Sequence, residues 1–252
     1  LIRRLPSAET LGSTTVIATD KTGTLTANEM TVRKLFANGK IIEVTGVGYE
    51  TKGQFLYKGK PAGIDDLELL LRIGSLNNNA ELKNGNLIGD PTEGSLIVSA
   101  AKASLIKEDL EIEFSRIDEI EFTSERKMMT TIHTHHGEKI SYVKGAPEVV
   151  LKSCSYIYIS GKTKKLTDEI KKEILEVNKE FADQALRVLG FAYKSIVTDK
   201  NPEKGLIFVG LQAMMDPPRD EVKIAIEKCK KAGIKVVMIT GDHENTAKAV
   251  AK

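Results

Sequence analysis

Residues 14–26 read TTVIATDKTGTLT, a run of β-branched and apolar residues that ends at Asp20 and continues into a loop of threonines around one glycine. A second such run, IKVVMI at residues 234–239, also ends in polar residues, at Thr240-Gly241-Asp242. Short apolar runs of this kind are typical of buried strands in α/β sheets, where ligands bind at the carboxyl ends of the strands. The two runs are therefore predicted to be buried strands of one sheet whose polar ends converge on a common site.

Helices are predicted on both sides of the second run. Residues 220–231 carry one apolar face and are followed by Gly233, which favours a helix end; the face is formed by Val222, Ala225, Ile226 and Cys229. A further helix is predicted after the second run, with Asp242 or Asn245 as its N-cap. The order strand, helix, strand, helix indicates an α/β fold.

Between these ends, from about residue 36 to residue 205, the pattern changes to the alternation of antiparallel strands. A hairpin is predicted from residues 41–49 and 54–58, and three neighbouring strands from residues 117–122, 128–135 and 139–143. Two helices interrupt the strands, one opened by Asp90-Pro91-Thr92-Glu93 and a longer one opened by Thr167. We therefore predict that an α+β antiparallel-sheet domain, residues 36–205, is inserted into an α/β domain made of residues 1–35 and 206–252.

Composition limits the classes of function. The chain of 252 residues is 41% hydrophobic and 29% charged, with a formal net charge of +2, so a nucleic-acid partner is not expected. Its two cysteines are too few for a disulfide framework and indicate a reducing compartment. The longest apolar run is about half of the ~20 residues that a spanning helix needs, so these residues are not expected to enter a bilayer. The start at Leu1-Ile2-Arg3-Arg4 predicts a piece of a longer protein.

Asp20 is the first candidate for chemistry. A carboxylate at the end of a strand can attack phosphorus and form an acyl phosphate, while Gly23 and the flanking threonines offer donors to a tetrahedral anion. The negative charge of Asp20 opposes the approach of phosphate, so a divalent cation and Lys21 are expected to offset it. The simpler alternative is an aspartate that ends a strand in an Asx-turn.

The run DKTGTLT at residues 20–26 is the phosphorylation signature of P-type ATPases, and the chain resembles that family, most closely its calcium-transporting branch. The other matching segments follow the family's order along the chain: LPSAETLG at 5–12, FTSERKM at 122–128, KGAPE at 144–148, DPPR at 216–219 and TGD at 240–242. The resemblance implies a haloacid-dehalogenase-like phosphorylation domain, here truncated, and an inserted nucleotide-binding domain.

The resemblance implies roles for the residues at the two strand ends. Asp20 is expected to take the γ-phosphoryl group of ATP, beside Lys21. Thr22 is expected to bind Mg²⁺ together with Asp20 and to contact the phosphate. The remaining residues of the phosphate site are expected to be Thr24, Thr240, Gly241 and Asp242, with Asp216 and Arg219 as hinge and support.

In the inserted domain the resemblance implies an ATP pocket. Phe122 is expected to stack on adenine, Lys144 and Gly145 to line the cleft, Lys127 to support it, and Arg187 to reach the β-phosphate. Glu93 is expected near the adenine amino group. Alternatives from the residues alone stay open, since Phe122 at an alternating position is commonly core, Arg187 suits a helix C-terminus, and Glu93 completes a capping box with Asp90. Ser124 stands where the calcium pumps often carry an arginine.

The implied protein is an ATP-driven, calcium-transporting pump at the cytoplasmic face of a membrane. Its partners are ATP, Mg²⁺ and the transmembrane and actuator parts of the same pump. The chain stops before the later lysine and the acidic loop of the family's phosphate site, so negligible steady-state turnover is expected of it. Two alternatives remain: a haloacid-dehalogenase-like phosphatase, although Thr22 occupies the position of its second aspartate, and a nucleotide-binding module without catalysis.

Two further patterns are weaker. Gly161-Lys162-Thr163 ends like a phosphate-binding loop, but Tyr156 stands where the leading glycine belongs. His133, His135 and His136 lack a carboxylate or cysteine at ligand spacing, so exposed strand and turn histidines are expected there.

Overall fold

The computed structural model describes residues 12–83, 85–195, 201–241 and 247. The chain divides into two compact units, Leu1–Glu29 with Asp216–Lys252, and Met30–Met215. Its strands are β1 Val16–Asp20, β2 Thr31–Ala37, β3 Lys40–Val44, β4 Phe55–Tyr57, β5 Lys60–Pro61, β6 Glu81–Lys83, β7 Asn86–Ile88, β8 Ser115–Ile120, β9 Met128–His135, β10 Glu138–Gly145, β11 Cys154–Ile159, β12 Lys162–Lys165, β13 Arg187–Ser195, β14 Leu206–Met215 and β15 Lys235–Ile239. Its helices are α1 Glu68–Leu76, α2 Pro91–Ala101, α3 Lys107–Glu113, α4 Pro147–Ser153, α5 Asp168–Asp183 and α6 Asp220–Lys231.

In these described residues we find no helix with the length and apolar character needed to cross a membrane.

In the unit formed by the chain ends, β1 and β15 pair in parallel, which confirms that the two apolar runs share a sheet. Helix α6 covers the predicted residues 220–231, and Gly233 follows it with a positive φ of 74°. The expectation that both strands are buried is wrong, because β1 and β15 are largely exposed. Among the described residues of this unit, α6 is the one long helix beside the two strands, and one helix cannot cover both faces of a sheet. The helix predicted after residue 242 and the segment 5–11 lie outside the described residues.

The larger unit contains an 11-stranded sheet, and this confirms the predicted mixed α/β composition with a large antiparallel sheet. Its main path runs in the order β5-β4-β3-β2-β14-β13-β10-β9-β8. The predicted hairpin is present as β3 and β4, and the three predicted neighbours are present as β8, β9 and β10. Strand β11 joins β14 in parallel, and β12 pairs with β11.

Helices cover both faces of this sheet. Helices α1, α2 and α3 contribute to one apolar core, which includes Leu71 and Leu96, while α4 and α5 contribute to the other, which includes Phe181. Strand β14 alternates between the two cores, since Phe208 and Val209 belong to opposite ones. A strand that is buried on both faces is typically apolar along most of its length, and in β14 Gln212 alone is polar.

Both predicted helix starts are confirmed. The side chain of Asp90 accepts hydrogen bonds from the backbone N of Thr92 at 2.8 Å and of Glu93 at 3.3 Å, and Pro91 takes the first helical position of α2. Thr167 caps α5 by accepting a hydrogen bond from Ile170 N at 3.4 Å.

The larger unit extends beyond the predicted insert of residues 36–205. Strands β2 and β14 pair over their length, from Gly210 opposite Ala37 to Met215 opposite Thr31. Backbone hydrogen bonds therefore place residues 30–35 and 206–215 with the sheet. The sequence pattern does not reveal these boundaries, because the pairing of β2 with β14 joins residues that are far apart in the chain.

His133 is not the exposed histidine that the sequence predicts. It is fully buried, with Nδ1 2.9 Å from the carbonyl oxygen of Phe114 and Nε2 2.9 Å from Oγ1 of Thr131. A carbonyl oxygen only accepts, so Nδ1 carries the proton and Nε2 accepts from the hydroxyl. This is a neutral imidazole, and burial lowers the pKa of His133 to about 4.

We expect the free energy of unfolding to fall by about 2 kcal/mol between pH 7 and pH 5 because of His133. The pKa of His133 is lower in the folded protein than in the unfolded chain, so the unfolded chain binds more protons as the pH falls. Urea unfolding of His133→Gln should show a flatter pH dependence over this range than the wild type. Equal slopes for His133→Gln and the wild type would refute this assignment.

Candidate functional site

A cavity of about 500 Å³ opens within the unit Met30–Met215. Its walls contain all six residues that the resemblance implies for nucleotide binding: Glu93, Phe122, Lys127, Lys144, Gly145 and Arg187. Six more residues complete the lining: Asp90, Thr92, Met129, Ala146, Val188 and Leu189. The structure therefore brings together side chains from distant parts of the sequence in a cavity of the size that small-molecule ligands occupy.

The cavity lies where consecutive strands of the sheet end. Phe122 follows β8, Lys127 precedes β9, Lys144 and Gly145 end β10, and Arg187 begins β13. Since β8, β9, β10 and β13 are neighbours in this order, their ends meet at one edge. Helix α2 supplies Glu93 from its first turn.

Phe122 is exposed, with 57% of its surface accessible. The alternative that it belongs to the core is therefore wrong. The alternation that suggested burial stops at Ile120, where β8 ends, so the pleat no longer dictates the direction of the side chain two residues later. The ring of Phe122 is a free aromatic surface in the wall of the cavity.

Lys144 and Glu93 form an ion pair in the wall. The ammonium nitrogen of Lys144 lies 2.5 Å from Oε1 of Glu93 and donates to the carbonyl oxygen of Asn77 at 2.5 Å. Only 9% of the Lys144 side chain and 16% of the Glu93 side chain are accessible. Burial lowers the pKa of Lys144, and the charge of Glu93 opposes that shift in part. The cavity wall therefore contains a partly desolvated cation, Lys144, beside the carboxylate of Glu93.

The contacts of Glu93 separate its two predicted roles. Asp90 caps α2, but the carboxylate of Glu93 accepts from the backbone N of Asn79 at 3.0 Å and from Lys144. Both oxygens of Glu93 therefore have partners outside the helix start. Asp90 therefore caps the helix, whereas the side chain of Glu93 contributes to the cavity wall.

Lys127 and Arg187 lie exposed at the rim of the cavity. Arg187 donates from Nη1 to Oγ1 of Thr92 at 3.0 Å, so its guanidinium is directed to the start of α2. This contact argues against the alternative that Arg187 serves the end of α5. The cavity therefore carries two exposed cations in addition to the pair of Lys144 and Glu93.

Gly145 leaves no room for a side chain. A Cβ at this position would lie 2.4 Å from the carbonyl oxygen of Lys127 and 2.9 Å from Cα of Met128. Glycine is required here because two strands approach each other closely, and not because of an unusual φ.

In the other unit, Asp20 is exposed at the carboxyl end of β1. It lies opposite Ile239, and Thr240 and Gly241 follow at the same end of the parallel pair. The predicted convergence of the two strand ends is therefore present, whereas Asp242 lies outside the described residues. Thr22 and Thr24 are exposed, but Lys21 is buried. The role of Lys21 in offsetting the charge of Asp20 stays a prediction.

The loop after Asp20 is held by Asp216 and Arg219. Thr26 donates from its hydroxyl to Oδ2 of Asp216 at 2.5 Å, and Oδ1 accepts from Glu29 N at 3.2 Å. Arg219 donates to the carbonyl oxygens of Gly23 at 3.2 Å and Thr26 at 3.1 Å. These contacts fix the turn that carries the exposed threonines.

Sequence reasoning missed Thr92 as the partner of Arg187, and it missed Asn77, whose carbonyl oxygen receives Lys144. Thr92 lies within the capping motif beside Glu93, and this position is the one signal of a cavity residue in the sequence. The run Asn77-Asn78-Asn79 indicates only a polar turn, because contacts to distant strands leave no signal in the local sequence.

A family model described as "P-type ATPase, cytoplasmic domain N" matches residues 66–221, which include every residue of the cavity. The chain therefore belongs to the P-type ATPase family. Over its whole length it is 43% identical to a calcium-transporting ATPase of Bacillus subtilis (strain 168) and 41% identical to the calcium-transporting ATPase lmo0841 of Listeria monocytogenes. It is 37% identical to the sodium/potassium-transporting ATPase subunit alpha of Drosophila melanogaster. The chain spans 30%, 28% and 26% of these three relatives, respectively.

Proposed function

We propose that this chain is the ATP-binding and phosphorylation region of a calcium-transporting P-type ATPase. In this proposal Met30–Met215 is the nucleotide-binding domain, and Leu1–Glu29 with Asp216–Lys252 belongs to a haloacid-dehalogenase-like phosphorylation domain. The observation that carries the proposal is the cavity, because it combines an exposed aromatic ring, a buried cation and two exposed cations. An aromatic face and clustered cations are the features that a purine nucleotide requires.

Each part of ATP has a matching group in the cavity. The ring of Phe122 stacks on adenine, and the carboxylate of Glu93 accepts from the adenine amino group. Lys144 acts as a compact cation deep in the pocket, and Gly145 lines the wall beside it. At the rim, Lys127 and Arg187 bind the phosphates, for which the forked guanidinium of Arg187 is suited.

Asp20 is the proposed phosphoryl acceptor. One oxygen of its carboxylate forms a bond to the γ-phosphorus of ATP, the bond from that phosphorus to the bridging oxygen breaks, and ADP leaves with the electron pair. The exposure of Asp20 and the fixed turn around Gly23 support this role. Thr24, Thr240, Gly241 and Asp242 are proposed to bind the phosphoryl oxygens.

The residues after β1 also fit a bound Mg²⁺. The carboxylate of Asp20 and the backbone carbonyl of Thr22 are oxygen ligands, which Mg²⁺ prefers, and phosphate oxygens commonly complete such sites. When bound, Mg²⁺ supplies positive charge that offsets the repulsion between the Asp20 carboxylate and phosphate.

Thr22 favours a pump over a phosphatase of the same fold. A phosphatase needs a residue that exchanges protons two positions after the nucleophile, and a threonine hydroxyl does so poorly. The acyl phosphate on Asp20 is then long-lived, as coupling to transport requires. The names of the relatives support calcium as the transported ion, and the description of the family model supports a site at the cytoplasmic face of a membrane. The proposed partners are the transmembrane and actuator parts of the same pump.

The proposal is tested by titrating the isotope-labelled chain with ATP and following the backbone NMR signals of each residue. We expect the signals of the cavity residues to shift. Phe122→Ala should weaken binding by about tenfold, since stacking on an aromatic ring contributes about 1–3 kcal/mol per base. Stability should change little, because Phe122 is exposed.

Tyr156→Ala is the matched control. Tyr156 is also an exposed aromatic residue, 47% accessible, and it does not line the cavity. We expect its ATP affinity to equal that of the wild type. The pocket assignment would be overturned if Phe122→Ala and the wild type bound ATP with the same dissociation constant.

A further inference from the structure

The turn at residues 77–79, between α1 and β6, consists of three asparagines. Asn77 and Asn78 are almost completely buried, at 0% and 1% accessible. Buried amides are costly unless they are hydrogen-bonded, so the partners of these side chains define what the turn holds in place.

Asn77 links two of the strands that end at the cavity. Its side-chain Nδ2 donates to the carbonyl oxygens of Met129 in β9 at 3.0 Å and of Tyr142 in β10 at 2.7 Å. Both partners only accept, which fixes the amide orientation and leaves Oδ1 buried without a hydrogen-bond partner in the part of the chain that the structure describes. Met129 lies directly opposite Lys144 in the strand pairing.

The same residue receives the cavity cation. The backbone carbonyl of Asn77 lies 2.5 Å from the ammonium nitrogen of Lys144. Asn77 is the C-cap of α1, where the helix dipole favours positive charge. The side chain of Asn77 is thus tied to the strands beside Lys144, and its carbonyl is one of the two acceptors of that ammonium group.

Asn78 and Asn79 hold Glu93 in an equivalent way. Asn78 donates from Nδ2 to the backbone oxygen of Glu93 at 2.8 Å, and Asn79 donates from its backbone N to Oε2 at 3.0 Å. The buried amine of Lys107 donates to the carbonyl oxygens of Ala80 at 2.7 Å and Asn78 at 3.3 Å, which anchors the turn from the other side.

We propose that Asn77 is a positioning residue of the nucleotide pocket and that the turn 77–79 sets where the Lys144 ammonium and the Glu93 carboxylate lie. This inference rests on the proposed binding of ATP. Asn77 does not line the cavity, so it acts on the ligand through Lys144.

The first test uses the ligand-free chain. An ammonium group that is buried and hydrogen-bonded exchanges slowly with water and gives a lysine ¹H–¹⁵N NMR signal, which for Lys144 is assigned by its loss in Lys144→Met. We expect Asn77→Ala to abolish this signal, and Asn77→Ser to do the same, since a serine hydroxyl is too short to reach both strands. Asn38→Ala is the matched control, because Asn38 also donates to a backbone carbonyl, that of Asp66 at 3.0 Å, but outside the cavity.

The second test is a double-mutant cycle with ATP. Asn77→Ala should weaken ATP binding by about tenfold, as expected for losing one or two buried hydrogen bonds. In a Lys144→Met background the same change should have little further effect, whereas a purely structural role would give additive losses. If Asn77→Ala does not fold in a thermal melt, Asn77→Ser takes its place in the cycle.

The outcomes separate the two proposals. Three results would overturn the positioning role of Asn77. The wild type could lack a protected Lys144 signal, or the Asn77 variants could keep that signal. The third is that the effect of the Asn77 change on ATP binding persists undiminished in the Lys144→Met background. If the variants lose the signal but the wild type binds no ATP, the nucleotide pocket is wrong and the control of Lys144 by Asn77 stands.

Discussion

Replacing Lys144 by alanine is expected to weaken ATP binding by about 100-fold, which corresponds to about 2.7 kcal/mol. The same change should lower the free energy of unfolding by about 3 kcal/mol, because it leaves the largely desolvated carboxylate of Glu93 without its cation. ATP affinity is measured by calorimetric titration and stability by urea unfolding.

The double variant Glu93→Gln with Lys144→Met separates the two effects. It removes both charges together, so no buried charge is left unpaired and most of the stability should return. The affinity for ATP should stay low, since the cation in the pocket is still missing. If the double variant regained wild-type affinity, Lys144 would not bind the nucleotide.

Lys83→Ala is the matched control for the ion pair. Lys83 and Glu81 lie 2.5 Å apart, the same distance as in the Lys144 pair, but their side chains are 65% and 52% accessible. Exposed pairs contribute little, so stability should change by less than about 1 kcal/mol. If Lys83→Ala lost as much stability as Lys144→Ala, burial would not explain why the Lys144 pair contributes more than an exposed pair.

Gly145→Ala is expected to lower the free energy of unfolding by about 2–3 kcal/mol, as overpacking typically does. The added Cβ would meet the backbone of Lys127 and Met128, neither of which can rotate away as the tip of a side chain can. The carbonyl oxygen of Lys127 also accepts a hydrogen bond from Ala146 N at 2.9 Å, and the displacement should break it. Because Lys127 lines the cavity, ATP affinity should fall as well.

Urea unfolding and an ATP titration check this prediction, with Gly63→Ala as the control. A Cβ at Gly63 would meet no heavy atom within 4 Å, so its stability should stay within about 0.5 kcal/mol of the wild type. If Gly145→Ala were as stable as Gly63→Ala, the close approach of β9 and β10 would not constrain this position.

The sequence alone predicts the elements whose causes are local. Asp90 and Thr167 begin helices because a side-chain oxygen two or three residues before a backbone N–H can cap it. Strands β9 and β10 follow from alternation along a few residues, and the parallel pair of β1 and β15 follows from two apolar runs with polar ends. The motifs around Asp20 and Lys144 also suffice to predict the family.

Only the tertiary structure decides the questions that depend on contacts between distant residues. Alternation cannot tell that Phe122 lies beyond the last paired residue of β8 and is exposed, or that His133 is covered by Phe114 and Thr131. The spacing of Asp90 and Glu93 permits a capping box, but Lys144, far along the chain, takes the carboxylate of Glu93.

The turn at Asn77 illustrates the same limit for the site. Its composition determines that the chain turns there, since asparagine side chains bond readily to nearby backbone. The partners of Asn77 depend on the folded sheet, which brings Met129, Tyr142 and Lys144 against the end of α1. The side-chain amide then bonds to the first two residues, and the backbone carbonyl accepts from Lys144. Local hydrogen bonds and periodicity are present in the sequence, whereas burial and partner choice arise only when distant segments pack together.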